Sequence, residues 1–124
     1  MSLPQLLYIG VTSETRFAIR VLLRGEYQVI FTETLDEASH LLSKRRRFTA
    51  CITEADVCQV PRKNKKLAHD GILFARRMEK GTNRVLVILP ENWHEPEPLG
   101  VVCITKPIKK EDLLEKLREI QVQT

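Results

Sequence analysis

The sequence has few of the features that mark secreted, membrane-spanning or disordered chains. Its three cysteines are odd in number and scattered, which argues against a disulfide framework. The longest uninterrupted aliphatic run, Val85–Leu89, is far shorter than the roughly 20 residues that a membrane helix needs. Glycine and proline are scarce, at 5 and 6 of 124 residues, so the composition is that of a globular protein. We therefore expect one folded domain over residues 1–124, located in the cytoplasm.

Neither sign of charge dominates the whole chain, but one segment is strongly basic. Lys and Arg number 20 against 16 Asp and Glu, which gives a net charge of +4. Residues 44–66 hold eight basic and two acidic side chains and carry +6, so the remainder of the chain carries −2. This segment predicts a surface for an anionic partner. Its basic residues after Lys44 are Arg45, Arg46, Arg47, Arg62, Lys63, Lys65 and Lys66.

Apolar patterns typical of strands and helices alternate along the chain. Short apolar runs predict strands near residues 6–9, 27–31, 49–53, 85–89 and 101–105. Apolar residues at helical spacing predict helices over residues 15–24, 34–42, 72–78 and 113–120. Phe17 and Val21 recur at this spacing in the first helix, and Gly25 supplies its stop. Thr34 and Glu37 have the spacing of a capping box at the start of the second helix.

This alternation predicts an α/β fold in which helices cover both faces of a parallel sheet. Five strands in a chain of this length suit a single doubly wound sheet with the flavodoxin-like strand order 2-1-3-4-5. In that order the functional crevice lies at the carboxyl ends of strands 1 and 3. Residues at these two strand ends are therefore the candidates for a functional site.

Two motifs, in the right order, give the chain its most specific resemblance. Ile104-Thr105-Lys106-Pro107 ends the fifth strand, and Lys110-Glu111-Asp112-Leu113-Leu114 follows it. Asp70-Gly71 opens the third helix. With these motifs the chain resembles a two-component receiver domain, a signalling domain, over nearly its whole length. The resemblance implies a cis peptide bond between Lys106 and Pro107.

The resemblance also implies which positions after strand 1 would hold a metal. Receiver domains carry a pair of acids there that binds Mg²⁺, a cation that prefers oxygen ligands. Here the strand is followed by Gly10-Val11-Thr12-Ser13, and Glu14 is the only carboxylate nearby. We therefore expect the Mg²⁺ site to be lost and the chain to use no cofactor.

Most of the remaining receiver positions have also lost the side chain that the family carries there. The phosphoacceptor position, which is an aspartate in the family, falls on Glu54, or on Thr53 if the register slips by one. The position of the hydroxyl that ends strand 4 falls on Leu89. Only the lysine of strand 5, Lys106 followed by Pro107, is kept. These departures predict a degenerate receiver, or pseudo-receiver, that phosphorylation of the usual kind does not control.

The connection between strands 4 and 5 departs from the family as well. Residues 90–99 contain three prolines, and proline removes a helical hydrogen bond and disfavours helix in the residue before it. We therefore expect the family's fourth helix to be shortened or missing. Trp93 lies in this stretch and has two interpretations: an exposed anchor for a partner, or a cover for the core edge that the missing helix leaves open.

We interpret the chain as a non-enzymatic signalling domain that regulates a protein partner without being phosphorylated. An ion pair between Glu54 and Lys106 could imitate the phosphorylated state. The first alternative is an atypical receiver that is phosphorylated at Glu54 or Thr53. The second is an adaptor that binds nucleic acid or an acidic partner through residues 44–66. Nucleic acid is the less favoured partner, because neither basic run contains an aromatic residue for base stacking.

Overall fold

The computed structural model describes residues 3–44, 48–55, 70–79, 85–93 and 101–122. Within these ranges the chain forms five strands and four helices, and every predicted strand and helix is present. The strands are β1 (Gln5–Ile9), β2 (Gln28–Thr32), β3 (Ala50–Glu54), β4 (Val85–Leu89) and β5 (Val102–Thr105). The helices are α1 (Ser13–Leu22), α2 (Leu35–Ser43), α3 (Asp70–Glu79) and α4 (Lys110–Val122). None of these helices is long and apolar enough to cross a membrane.

The five strands form one parallel sheet in the order β2-β1-β3-β4-β5. This confirms the predicted doubly wound sheet. Strands β3 and β4 are buried along their whole length, as expected for parallel strands covered on both faces. In β1 every residue from Leu6 to Ile9 is buried. The carboxyl ends of β1 and β3 are neighbours, since Ile9 pairs with Thr53.

Two apolar clusters lie on opposite faces of the sheet, because successive residues of a strand point to opposite faces. Leu6 and Tyr8 of β1 belong to a cluster with Ile19 of α1 and Leu117 of α4. Leu7 and Ile9 belong to the other cluster, which contains the buried residues of α2 and α3. Helices α1 and α4 therefore cover one face of the sheet, and α2 and α3 cover the other.

Helix α1 begins and ends two residues before its predicted bounds of 15–24, and Thr15 and Ile19 form its buried face. Its buried residues are Thr15, Ile19 and then Leu23 just past its end. Phe17 and Val21 point to solvent and are 65% and 44% exposed. The helical spacing therefore predicted the helix correctly, and the structure shows that Thr15 and Ile19 form its inward stripe while Phe17 and Val21 lie on its outer face.

The predicted helix boundary residues have the expected local geometry. The Thr34 side chain accepts a hydrogen bond of 3.2 Å from the Glu37 backbone N–H, which satisfies one of the unpaired donors at the start of α2. Gly25 follows α1 with a φ of +82°, a conformation that side chains rarely adopt. The turn at Gly25 leads directly into β2.

The connection after β4 begins as a turn. The backbone N–H of Trp93 donates to the carbonyl of Pro90 at 3.1 Å. Trp93 is half-buried and packs against the cluster on the α2 and α3 face. This is the arrangement expected of a side chain that covers the core edge. In the described part of this connection there is no helix, and residues 94–100 lie outside the described ranges.

Candidate functional site

The carboxyl ends of β1 and β3 bring one buried carboxylate into a cluster of hydrogen-bond donors. The Glu54 side chain ends β3 and is 9% exposed. Its Oε2 accepts a bond of 2.6 Å from the Tyr8 hydroxyl and one of 3.3 Å from the Thr12 backbone N–H. Its Oε1 accepts a bond of 2.5 Å from the Thr12 hydroxyl. Both oxygens are therefore occupied, as a buried carboxylate requires.

Gly10 leaves the space that the Glu54 carboxylate fills. A Cβ atom placed on Gly10 would overlap Oε2 and the carboxylate carbon of Glu54. No side chain larger than hydrogen fits at position 10 while Glu54 keeps this position. Glu54 therefore occupies the part of the crevice that a side chain following β1 would otherwise enter.

Thr12 joins the Glu54 carboxylate to the start of α1. It is the residue before the helix, and its backbone carbonyl accepts the first helical hydrogen bond, from Arg16, at 2.9 Å. Its side chain makes no capping bond within the helix, and its hydroxyl donates to Glu54. A negative charge is favourable near a helix N-terminus, so Glu54 also complements the dipole of α1.

Tyr8 supplies the third donor from inside the core. The residue is fully buried, and its ring lies 5.4 Å from the ring of Phe31 on β2. Burial is the main cause that raises the pKa of Tyr8 above its usual value; the charge of Glu54 and the hydrogen bond to it raise the pKa further, and Arg16 lowers it. Tyr8 is therefore held as a neutral hydroxyl donor at any pH near 7.

Gly71 allows the start of α3 to approach the end of β3. Its N–H donates to the carbonyl of Ala55 at 3.2 Å. A Cβ atom at position 71 would overlap the backbone oxygen of Glu54. The Asp70-Gly71 motif therefore has a local structural reason, since only glycine permits this contact between backbones.

The receiver positions on β4 and β5 meet at the same edge of the sheet. Leu89 is buried, and its carbonyl accepts a bond of 3.2 Å from the backbone N–H of Lys106. The peptide bond between Lys106 and Pro107 is cis, which confirms the expectation. Lys106 is half-buried. Among the described residues, no ion pair joins Lys106 to Glu54, so the expected Glu54–Lys106 pair is not formed.

Thr53 faces away from this cluster. It is fully buried, and its hydroxyl donates to the backbone oxygen of Glu54 at 3.1 Å. Because strand residues alternate between faces, Thr53 lies on the side of α2 and α3. The structure places Glu54, and not Thr53, in the crevice, so Glu54 remains the predicted phosphoacceptor position that lies in it.

The residues at this edge do not form a suitable set of Mg²⁺ ligands. Ser13 and Glu14 begin α1 and are exposed, while both oxygens of Glu54 already accept hydrogen bonds. No group of three or more His, Cys, Asp or Glu side chains in the described ranges could hold a metal ion. A hard cation needs several oxygen ligands, and the two oxygens of Glu54 already accept three hydrogen bonds from Tyr8 and Thr12.

Most of the predicted partner-binding residues lie outside the described ranges. These are Arg45, Arg46, Arg47, Arg62, Lys63, Lys65 and Lys66. Lys44 is described, lies just after α2, and is exposed. The basic segment therefore stays a prediction from the sequence.

Sequence reasoning missed Tyr8 and gave Gly10 no role of its own. A tyrosine within an otherwise aliphatic buried strand is a signal, because its hydroxyl needs a partner when it is buried. A glycine directly after a buried strand, where a side chain is expected, is a second signal. These two signals point to a buried carboxylate cluster only when a long carboxylate side chain, here Glu54, ends the neighbouring strand.

Comparison with solved structures identifies the fold, whereas comparison of the sequence alone finds no relative. No protein-family model matches the sequence, and no curated protein matches it. Solved structures do match. A response regulator described as putative, from Chloroflexus aurantiacus, gives a TM-score of 0.74 at 14% identity, covering 98% of this chain and 100% of that chain.

Two further structures have the same fold. One is the receiver domain of a sensor histidine kinase from Pseudomonas aeruginosa, solved with a magnesium ion in its active-site cleft. It gives a TM-score of 0.70 at 18% identity, covering 97% of this chain and 98% of that chain. The other is a chemotaxis response regulator of Vibrio cholerae. It gives a TM-score of 0.68 at 16% identity, covering 96% of this chain and 99% of that chain. The chain is thus a doubly wound α/β domain with its crevice at the carboxyl edge. Its fold is that of a response-regulator receiver domain.

Gly10→Ala tests whether Glu54 fills the space above position 10. The new methyl group would displace the carboxylate and break its hydrogen bonds, so we expect a loss of about 1–3 kcal/mol in the free energy of unfolding. In a Glu54→Ala background no carboxylate is displaced, so the same change should cost less, with a coupling energy of about 0.5–3 kcal/mol. Urea unfolding of the four chains measures this coupling.

Gly71→Ala is the matched control for this cycle. It meets the backbone of residue 54 and not its side chain, so its cost should be the same in the parent chain and in the Glu54→Ala background. Additive effects of Gly10→Ala and Glu54→Ala would contradict the proposed contact.

Alkaline titration tests the environment of Tyr8. The raised pKa means that the folded state holds the phenolic proton more tightly than the unfolded state. The stability that this provides is complete below the unfolded pKa of about 10 and is lost as pH rises above it. The chain has two tyrosines, so a Tyr27→Phe variant reports Tyr8 alone. We expect its phenolate absorbance to appear only together with unfolding, followed by circular dichroism.

A phenolate that forms near pH 10 in a chain that is still folded would contradict this environment. Tyr8→Phe provides the control, because it should lack this contribution to the loss of stability in alkali.

Proposed function

We propose that this chain is a receiver-like signalling domain that regulates a protein partner without being phosphorylated. The observation that carries the proposal is the hydrogen bonding of Glu54. This residue falls at the predicted phosphoacceptor position, and its carboxylate accepts hydrogen bonds from Tyr8 and Thr12. The domain would act through binding alone and would catalyse no reaction of its own.

The occupied carboxylate is a poor phosphoryl acceptor. Hydrogen bonds from Tyr8 and Thr12 hold the carboxylate oxygens in place and make them weaker nucleophiles, and phosphoryl transfer also needs its developing charge to be neutralised. Both oxygens of Glu54 are held by neutral donors, and the described residues around them do not suit Mg²⁺. We therefore infer that the magnesium chemistry of receiver domains has been lost from this site.

The same hydrogen bonds favour a single state of the crevice. Glu54 connects the end of β3 to the start of α1 through Thr12, and to the core through Tyr8. Because these bonds form without any modification, the crevice needs no phosphoryl group to hold its elements together. A Glu54–Lys106 pair is not required for this state, since Thr12 and Tyr8 supply the partners.

The charge of residues 44–66 favours an acidic protein as the partner. This segment carries +6 in a chain that is otherwise slightly acidic, and such a local excess steers anionic partners toward it. Nucleic acid is the competing partner, and the salt dependence of binding to each separates the two.

A phosphorylatable receiver is the second candidate, and one observation favours it. Lys106 and its cis peptide bond to Pro107 are kept at the edge of the crevice. A lysine at this position could neutralise a phosphoryl group in a structure where Glu54 had released its donors.

Incubation with Mg²⁺ and acetyl phosphate, or with beryllofluoride, separates the two candidates. The readouts are intact mass and the fluorescence of Trp93, the single tryptophan. We expect neither a phosphoryl adduct nor a change in fluorescence that depends on Mg²⁺. A stable adduct, or a saturable fluorescence change with beryllofluoride, would overturn the proposal.

Glu54→Asp is the matched variant for this experiment. It keeps the charge but shortens the side chain, which withdraws the carboxylate from Tyr8 and Thr12. If the engaged carboxylate is what blocks phosphorylation, Glu54→Asp should be modified more readily than the parent chain. A conventional receiver domain treated in parallel provides the positive control.

A further inference from the structure

Helix α1 presents an apolar pair to solvent. Phe17 and Val21 are 65% and 44% exposed and lie four residues apart, so their side chains are neighbours on the outer face of the helix. Single exposed apolar side chains are ordinary on protein surfaces, whereas contiguous apolar patches are a feature of contact surfaces. The inward residues Thr15 and Ile19 already provide the contact of α1 with the sheet. Phe17 and Val21 are thus not needed for that contact.

Charged residues of opposite sign flank this pair at matched distances. Glu14 lies three residues before Phe17, and Arg24 lies three residues after Val21. Both are exposed, and neither forms an ion pair with another described residue. Positions 14, 17 and 21 of α1 follow the three-and-four spacing of a seam along which two helices pack, and Arg24 lies three residues further along, in the turn just after the helix.

This seam is complementary to itself in an antiparallel arrangement. A two-fold axis beside position 19 places Phe17 against Val21 of a second copy, and Glu14 against Arg24 of that copy. The symmetry repeats each contact, as in an isologous interface. Two apolar contacts are then flanked by two ion pairs.

The two arginines within α1, Arg16 and Arg20, are directed toward β2. The Arg20 guanidinium lies over the Phe31 ring at 5.0 Å, and that of Arg16 lies over it at 5.2 Å. Arg16 also pairs with Glu33 at 3.7 Å. These contacts hold both charges beside their own sheet, which reduces the repulsion between two copies that meet across α1.

We propose that two copies of this chain associate through α1, packed antiparallel along Glu14, Phe17, Val21 and Arg24. A single pair of short helices buries less than the roughly 1,200–2,000 Å² of a standard stable interface. The dimer is therefore transient, with a dissociation constant between about 10 µM and 1 mM.

Charge exchange at the seam tests this dimer by sedimentation equilibrium of the 124-residue chain over a range of concentrations. Glu14→Arg and Arg24→Glu each replace two attractions with two repulsions, so each should weaken association by about tenfold. The double variant restores opposite charges and should return the dissociation constant to within about threefold of the parent value. Phe17→Asp should leave only monomer.

Glu115→Arg is the control, because it makes the same charge change at an exposed position of α4 and should not alter association. Circular dichroism checks that each variant is folded. A parent chain that stays monomeric at all concentrations would overturn the proposal. Single variants without effect, or a double variant that does not recover, would overturn it as well.

Discussion

A carboxylate that is buried inside a protein must be given hydrogen-bond donors, and Glu54 imposes this constraint on its neighbours. Tyr8 and Thr12 provide the donors, and Gly10 provides the space. Removing the Thr12 hydroxyl would leave Oε1 of a buried carboxylate without a partner, which is a costly change in a folded protein. The identities of three residues around β1 thus follow from one residue at the end of β3.

The same constraint connects the crevice to the outer surface. Glu54 bonds to Thr12, and Thr12 begins α1, whose outer face carries the Phe17 and Val21 seam. In a domain controlled by phosphorylation, the crevice changes its contacts when the phosphoryl group is added. Here permanent hydrogen bonds occupy the same position. Under our proposal, regulation then comes from what binds the domain and from its concentration.

Much of the fold followed from local patterns, whereas the site depended on contacts between distant residues. Continuous apolar runs predicted β1 and β4, because each strand is a property of a short segment, and the resemblance to receiver domains implied the cis bond at Lys106-Pro107. The direction of the Glu54 side chain depends on Tyr8, 46 positions away in sequence. The apolar spacing of α1 did not by itself show which side is exposed, since Thr15 is buried while Phe17 is not.

Binding of Mg²⁺ to the crevice is the most direct measure of whether Glu54 has replaced the chemistry of a receiver domain. In a nuclear magnetic resonance titration of the isotopically labelled chain, the backbone amides of Gly10, Thr12 and Glu54 report on the site. The account predicts that millimolar Mg²⁺ produces no saturable shift at these three amides, because both carboxylate oxygens are already engaged. A saturable shift at all three would mean that Mg²⁺ displaces Tyr8 and Thr12, and would contradict the account.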